Sequence, residues 1–256
     1  MKLVRLVVAA LLCFGLASAC GSSRGATTAP ESKLVVFAAA SLTHVLRQLD
    51  KSNEYEFGGS NALAFQIEQG APADVFVSAA PKYLVRLRDE GLLYQAPSWF
   101  ATNRLVLVVP RANRARIRTP RDLLRPGVTI ALGPQGVPAG DYARASLAAM
   151  HLNGALKNVV TLEPDVEGVV QKVALGEVDA GFAYHSDTVA LGRRLREVPL
   201  PRSGREVAVY GAAPLKHAKN ATDARGFVAL LLSPPGQARL KLAGFGPAPK
   251  PAKKGP

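Results

Sequence analysis

The sequence predicts an α/β fold in which strands and helices alternate along the chain. Short apolar runs rich in β-branched residues indicate strands, and Gly, Pro, Ser and Asp mark the turns between them and the helices. The predicted strands are 34–38, 75–78, 105–109, 128–132, 159–162, 178–184 and 207–210. The predicted helices are 41–49, 62–69, 81–90, 120–124, 139–152, 166–175, 221–232 and 235–243. This alternation implies a mostly parallel sheet covered by helices on both faces.

Local signals support each element in the first half of the chain. The run Leu-Val-Val-Phe-Ala at 34–38 ends in small residues, and a serine then opens the first helix. Gly91 ends the helix that Pro81 begins, because proline suits a first helical turn and glycine suits the residue after the last one. Pro110 ends the strand at 105–109, because proline has no N–H to donate to a neighbouring strand.

The second half of the chain repeats these signals. Thr119 is a capping residue for the short helix at 120–124, and Gly154 lies just beyond the helix at 139–152. Strand, helix and strand then follow at 159–162, 166–175 and 178–184. Two helices after the strand at 207–210 complete the predicted fold, and we find no internal sequence repeat.

The first nineteen residues predict a secretory signal. Lys2 and Arg5 supply a positive start, the apolar stretch at 6–16 is too short to span a bilayer, and small residues precede Cys20. Small residues that end at a cysteine resemble a bacterial lipoprotein signal. We therefore expect residues 1–19 to be removed and Cys20 to carry lipid, and ordinary cleavage nearby is the alternative.

Residues 20–32 predict a flexible tether, because this segment is small, polar and free of core residues. The basic, proline-rich tail at 247–256 predicts disorder. Cys13 and Cys20 are the two cysteines of the chain, and Cys13 lies within the signal. The folded part therefore lacks a disulfide and a thiol metal ligand.

The chain carries a formal net charge of +13 over 256 residues. This charge favours attraction to anionic lipid, wall polymers or an anionic ligand, and a solvated basic surface is the alternative. Aromatic residues make up 6% of the chain and are not interleaved with the basic residues. We therefore expect no nucleic-acid partner.

Four turns between predicted strands and helices carry small or hydroxyl residues. They lie at 38–41, 57–61, 132–140 and 163–166. The first backbone N–H groups of a helix have no acceptor within that helix, so such turns form anion sites without a charged side chain. In a sheet of this kind, ligands bind beyond the carboxyl ends of the strands. One such turn is ordinary helix capping, and four in one sheet predict an anion site.

Several segments resemble the molybdate-binding proteins of ABC importers. They are Ala-Ala-Ala-Ser-Leu-Thr at 38–43, Gly-Ala-Pro-Ala-Asp-Val-Phe-Val-Ser at 70–78, Val-Pro-Ala-Gly at 137–140 and Gly-Glu-Val-Asp-Ala-Gly-Phe-Ala-Tyr at 176–184. The resemblance runs in order from about residue 33 to residue 245. It implies a two-lobe periplasmic-binding-protein fold of type II, with a hinge between the lobes. We place lobe 1 at 33–109 plus 208–246 and lobe 2 at 110–207, with crossings near Pro110 and Val207.

The resemblance also implies which residues hold the oxyanion. On lobe 1 these are Ser41 and Ser60, with side-chain and backbone donors, and on lobe 2 they are the backbone N–H groups of Ala139 and Val166 and the phenol of Tyr184. Two departures from the family pattern stand out. Gly58 and Gly59 replace frequent serines, which we expect to be harmless, and Glu167 places a carboxylate close to the Val166 donor.

The expected function is extracytoplasmic binding of molybdate and tungstate, with delivery to an ABC importer permease. Neutral donors suit these fully deprotonated dianions, because every ligand oxygen is an acceptor. We expect a monomer anchored to the cell membrane through lipid on Cys20, with no enzymatic activity and no cofactor. The sequence does not separate molybdate from tungstate.

Three alternatives remain open at this stage. Ser41 and His44 lie one helical turn apart and admit an exported serine hydrolase, although no Gly-x-Ser-x-Gly elbow surrounds the serine. Tyr184 with Tyr210 or Tyr142 admits capture of ferric iron. Another oxyanion is the third possibility, whereas the histidines show no metal-ligand spacing.

Overall fold

The computed structural model describes residues 33–249, which contain nine strands and eight α-helices. The strands are β1 Val35–Ala39, β2 Glu54–Gly58, β3 Val75–Ser78, β4 Ser98–Pro110, β5 Ile130–Leu132, β6 Val159–Leu162, β7 Ala180–Tyr184, β8 Leu195–Val198 and β9 Val207–Pro214. The helices are α1 Thr43–Leu49, α2 Ser60–Glu68, α3 Pro81–Asp89, α4 Pro138–Ala149, α5 Val166–Leu175, α6 His185–Leu191, α7 Ala221–Leu232 and α8 Pro234–Leu242. Short 3₁₀ turns include Ala40–Leu42 and Pro120–Leu124.

The strands of the described region pair in the order β2-β1-β3-β9-β4-β7-β5-β6, and β8 pairs with β4 outside this order. We call β2-β1-β3-β9 the first sheet half, and β7-β5-β6 together with β8 the second sheet half. Strand β4 joins the two halves. Its residues 98–104 pair with β9, and its residues 105–110 pair with β7 and β8. The change of partner between Arg104 and Leu105 makes one strand part of both halves.

The expectation of a mostly parallel sheet is wrong, because four strand pairings are parallel and four are antiparallel. Strand β1 runs parallel to β2 and β3, and β5 runs parallel to β6 and β7. The chain leaves the first half along β4 and returns along β9. These two strands therefore run in opposite directions and pair antiparallel with each of their neighbours.

The structure adds elements that the sequence pattern did not indicate. Strand β2 reads Glu-Tyr-Glu-Phe-Gly and lies at the edge of the sheet, where its side chains are at most half-buried. Strand β8, helix α6 and the first seven residues of β4 were also missed. Polar residues interrupt the apolar pattern in each of these segments, and tertiary pairing determines their structure instead.

The strands that lead to the pocket are apolar because both of their faces are covered. Strand β3 and strand β7 are buried at every position. Successive side chains of β1 point to opposite faces, so Phe37 packs in one cluster with Leu63 of α2 and Leu84 of α3. Val36 packs in the other cluster with residues that include Phe227 of α7. The first sheet half is thus held between two helical layers.

Some predictions concern segments that the structure does not reach. The signal at 1–19, the tether at 20–32 with lipidated Cys20, and residues 250–256 of the tail lie outside the described residues. The division into lobes stays a prediction. Its first crossing was set at Pro110, whereas β4 changes partner six residues earlier in the chain. No helix between residues 33 and 249 is long and apolar enough to cross a membrane.

Candidate functional site

One pocket lies where the ends of β1, β3 and β7 meet the starts of three helices. The space between its atoms, with its opening to solvent, measures about 220 Å³. All five predicted ligand residues line it: Ser41, Ser60, Ala139, Val166 and Tyr184. The remaining lining residues are Ala39, Ala40, Gly58, Gly59, Ala79, Val137, Pro138 and Asp165. The fold therefore brings together residues that lie as far as 145 positions apart in the sequence, from Ala39 to Tyr184.

The first sheet half contributes two nearly buried serine hydroxyls. Ser41 lies in the 3₁₀ turn that follows β1 and is 7% exposed, and Ser60 is the first residue of α2 and is 1% exposed. The Oγ atom of Ser60 accepts a hydrogen bond of 3.0 Å from the backbone N–H of Ala79. Because that N–H can only donate, the hydroxyl hydrogen of Ser60 remains available to the pocket.

The second sheet half contributes two helix starts. Ala139 follows Pro138, the first residue of α4, and Val166 is the first residue of α5. Their backbone N–H groups precede the first helical acceptors, and within residues 33–249 neither finds another backbone acceptor. Proline at the start of α4 suits this position, since it has no N–H to satisfy. Both helix starts direct partial positive charge at the pocket.

Tyr184 adds a phenol from the end of β7. Its side chain is 1% exposed, and its Oη has no hydrogen-bond partner among the described residues. Burial raises the pKa of this phenol well above its ordinary value of 10.0, so Tyr184 keeps its proton at neutral pH. A buried, protonated and unpartnered hydroxyl at the wall of a pocket is a donor that lacks only an acceptor.

Glu167, which the sequence placed close to the Val166 donor, is not among the residues that line the pocket. Its Oε1 accepts a hydrogen bond of 2.8 Å from Nε2 of Gln171, one turn further along α5. The carboxylate at the pocket is instead that of Asp165, the N-cap of α5, whose Oδ1 accepts from the N–H of Gly168 at 3.0 Å. The aspartate immediately before a predicted helix was the available signal for this residue.

The structure does not favour a serine hydrolase at Ser41. The Oγ of Ser41 lies 2.7 Å from the Oη of Tyr210, and this contact is buried. The side chain of His44 is exposed and makes no hydrogen bond to Ser41. The serine therefore lacks the adjacent base that would activate it as a nucleophile.

Ferric iron is also a poor fit. Tyr142 and Tyr210 both pack edge-on against Tyr184, with ring centroids 6.4 and 6.1 Å away. Burial raises the pKa of all three phenols, which opposes the phenolate form that an iron ligand requires. Residues 33–249 contain no cluster of three or more His, Cys, Asp or Glu residues able to hold a metal ion.

Contacts between the two halves surround the pocket. Lys82 of α3 forms an ion pair of 2.6 Å with Asp141 of α4, and the Tyr83 hydroxyl donates to the carbonyl of Gly136. Gly59 also lies against the second half, since a Cβ atom at this position would lie 2.6 Å from the carbonyl oxygen of Pro164. These contacts join the two halves beside a set of neutral donors that suits a small anion.

Comparisons with known proteins identify the family of this chain. A sequence model of the family described as bacterial extracellular solute-binding protein matches residues 34–246. The molybdate-binding protein ModA of Mycobacterium tuberculosis is 35% identical over 255 residues, covering 93% of this chain and 95% of that protein. The ModA protein of Escherichia coli is 31% identical, covering 95% and 98%.

The periplasmic molybdate-binding protein of Azotobacter vinelandii superposes with a TM-score of 0.74 at 22% identity, covering 83% of this chain and 98% of that one. This likeness concerns the fold. The chain belongs to the family of bacterial extracellular solute-binding proteins. The predicted α/β fold with two lobes, of the type found in periplasmic binding proteins, is confirmed.

The close approach at Gly59 generates a first prediction. In Gly59→Ala the new methyl group would meet the Pro164 carbonyl at 2.6 Å, so the two halves must move apart and anion binding should weaken about tenfold or more. Gly58→Ala is the matched control, because its methyl group meets only the Leu63 side chain at 3.6 Å. Isothermal titration with molybdate compares the two variants. Equal affinities in both would contradict this account of the contact.

The carboxyl of Asp187 generates a second prediction. It accepts a 2.8 Å hydrogen bond from the Tyr184 N–H, and burial raises its pKa to about 8 from the ordinary 3.8. A raised pKa means that its contribution to stability is fully present below about pH 4 and is lost as the pH rises through about 8.

Asp187→Asn keeps an acceptor for Tyr184 and cannot ionise. Its stability advantage over the wild type should therefore grow between pH 5 and pH 9, by on the order of 3 kcal/mol or roughly 5–10 °C in Tm. Thermal unfolding across this range measures the difference. Asp89→Asn, at an exposed helix end, is the control. A constant offset between Asp187→Asn and the wild type would show that the buried carboxyl does not titrate in this way.

Proposed function

We propose that this protein binds molybdate outside the cytoplasm and delivers it to the membrane permease of an ABC importer. The observation that carries the proposal is the convergence of Ser41, Ser60, Ala139, Val166 and Tyr184 on one pocket, with uncharged donors from both sheet halves. The names of the M. tuberculosis and E. coli relatives support the same ligand. Tungstate, an ion of nearly the same size, is proposed as a second ligand.

The donor set favours a fully deprotonated tetrahedral dianion. Every oxygen of such an ion accepts hydrogen bonds, and the two serine hydroxyls, the helix-start N–H groups and the Tyr184 phenol all donate. Helix starts contribute up to about 2 kcal/mol each when partly buried. Asp165 is the exception among the lining residues, and its bond to Gly168 turns one carboxylate oxygen toward the helix start. The ion is expected to contact the N–H side of this turn.

Selectivity against sulfate is proposed to follow from the separation between the donors of the two halves. A smaller anion cannot reach the donors of both halves at once, and each buried donor left without an acceptor costs about 1–3 kcal/mol. Selectivity against hydrogen phosphate requires that the Asp165 carboxylate, whose Oδ1 accepts from Gly168, does not accept from the bound ion, because a protonated oxygen needs an acceptor in the site. Neutral donors also avoid the desolvation cost of a buried ammonium or guanidinium group.

Capture of the ion is proposed to involve closure of the two lobes. We assign lobe 1 to residues 33–109 plus 208–246 and lobe 2 to 110–207. We place the bending near the change of partner at Arg104 and Leu105, so that residues 105–109 move with lobe 2. The ion pair between Lys82 and Asp141 supports the closed form, but by little, since the two side chains are 54% and 29% exposed. The closed form is then the one that the permease recognises.

The setting of the protein is also part of the proposal. Lipid on Cys20, followed by the tether at 20–32, would hold a monomeric binding protein at the outer face of the cell membrane. The permease and the oxyanion are its partners, and it performs no catalysis and uses no cofactor. The description of the family as extracellular supports the location.

Isothermal titration against molybdate, tungstate, sulfate and phosphate tests the function. We expect tight one-to-one binding of molybdate and tungstate, with sulfate and phosphate weaker by at least a hundredfold. Tight binding of phosphate, or no heat with molybdate, would refute the proposal.

The unpartnered phenol of Tyr184 generates a further prediction. Tyr184→Phe removes a donor to the ion, and it also removes a buried hydroxyl that lacks a partner in the ligand-free protein. The variant should bind molybdate about tenfold or more weakly while its ligand-free Tm stays equal or rises.

Ser60→Ala is the matched comparison for this prediction. It should weaken binding too, but it should lower the ligand-free Tm, because the Ala79 N–H loses its acceptor. Calorimetric titration and thermal unfolding without ligand measure both quantities. Wild-type affinity in both variants would reject the assignment of the site.

A further inference from the structure

The two serines of the pocket differ in how their hydroxyl groups are held. At Ser60 the neighbour is the backbone N–H of Ala79, which donates at 3.0 Å. That bond has one possible direction, so the Ser60 hydrogen stays free for a ligand. At Ser41 the neighbour is another hydroxyl, the Oη of Tyr210 at 2.7 Å. Two hydroxyls can share a hydrogen bond in either direction.

The direction of the bond between Ser41 and Tyr210 decides what Ser41 offers to the pocket. If Ser41 donates to Tyr210, its remaining lone pair faces the ligand and suits a protonated ligand oxygen. If Tyr210 donates to Ser41, the Ser41 hydrogen is free and suits a bare oxyanion. The same two atoms at the same distance thus produce opposite preferences for the protonation state of the ligand.

The surroundings of Tyr210 favour one direction. Tyr210 lies on β9 and is fully buried, and among the described residues the one hydrogen-bond partner of its Oη is the Oγ of Ser41. If Ser41 donated to Tyr210, the buried phenol hydrogen would have no acceptor, and an unpaired buried donor destabilises the fold. If Tyr210 donates, its hydrogen is paired, and the Ser41 hydrogen can point into the pocket that Ser41 lines.

We propose that Tyr210 is a positioning residue that donates its hydroxyl hydrogen to Ser41 and so fixes Ser41 as a donor to a fully deprotonated oxyanion. This inference rests on the proposed binding of molybdate. Tyr210 is not among the residues that line the pocket, so it acts through Ser41. With Tyr210 donating to Ser41, the first sheet half supplies two hydroxyl donors to the ion, Ser41 and Ser60.

The charge state of Tyr210 agrees with this role. Burial raises the pKa of its phenol above the ordinary value, and its contact with Ser41 opposes that rise only in part. Tyr210 is therefore protonated throughout the physiological pH range and always has a hydrogen to donate.

A double-mutant cycle tests the proposal by calorimetric titration with molybdate. Tyr210→Phe and Ser41→Ala should each weaken binding by about tenfold. The double variant should be no weaker than Ser41→Ala alone, within about twofold, because phenylalanine keeps the ring contact with Tyr184 and the lost hydroxyl contacts Ser41. Wild-type affinity in Tyr210→Phe, or losses that multiply in the double variant, would overturn the proposal.

Inorganic phosphate separates positioning from general loosening of the protein. Competition with molybdate should show that Tyr210→Phe weakens molybdate binding more than phosphate binding, since Ser41 becomes free to accept from a protonated oxygen. A purely structural role would weaken both anions alike, and that result would overturn the proposal. Tyr55→Phe is the matched control, because its hydroxyl donates to the Asp50 carbonyl at 3.0 Å and its side chain does not line the pocket.

Neutron diffraction from crystals of the wild-type chain with molybdate observes the bond directly and does not depend on any variant folding. Deuterium bound to Tyr210 Oη and directed at Ser41 Oγ is the expected result, and deuterium on Ser41 directed at Tyr210 would overturn it. If wild-type protein fails to bind molybdate, the proposed function falls together with this inference. If wild-type protein binds but the cycle is additive, only the role of Tyr210 falls.

Discussion

Backbone N–H groups at the start of a helix cannot be satisfied by that helix, and this constraint underlies the site. One pocket is lined by the first residues of three helices, α2, α4 and α5, and by the turn after β1. The buried hydroxyl of Tyr184 adds a donor with no partner among the described residues. Such groups destabilise a fold when they stay unpaired. In the proposed function, the anion would accept hydrogen bonds from the groups that the described residues leave unpaired.

The arrangement of the sheet explains how these turns come to face each other. Within each sheet half, parallel strands place their carboxyl ends at a common edge. The two antiparallel strands at the centre, β4 and β9, carry the chain from one half to the other and back. The helices that follow β5 and β6 therefore begin opposite the turns that follow β1 and β2. A fold made of one parallel sheet would line up these turns along a single edge and would not oppose them.

Much of this arrangement could be predicted from the sequence, because its signals are local. A buried apolar run followed by small residues and a helix start indicates a strand-to-helix turn, and resemblance to a known family selected five residues that the fold brings to one pocket. Segments with mixed polarity were missed. Strand β2 lies at an edge with two glutamates, and the first part of β4 includes Asn103 and Arg104 among its apolar residues. Pairing with distant strands determines their structure, and this pairing leaves no local pattern.

Contacts between distant residues were equally beyond the sequence pattern. Ser41 and Tyr210 lie 169 positions apart, and Asn103 and Ser186 lie 83 positions apart. From the sequence alone, each of these residues is expected to be a helix cap or a core side chain. The pairing of β4 with β9 and β7 is a long-range contact that helps to bring the members of each buried pair together. The identity of the carboxylate at the pocket, Asp165 and not Glu167, similarly depends on how α5 turns its first residues.

The continuity of β4 has a mechanical consequence. Because β4 belongs to both halves, a rotation between them would change backbone torsions near Arg104 and in the segment that returns the chain to β9, while the hydrogen bonds within each half stay intact. In the proposed closure each half would travel as a rigid body, with its donors oriented before the ion arrives. Little conformational entropy would then be lost when the halves meet, and more of the interaction energy would remain as affinity.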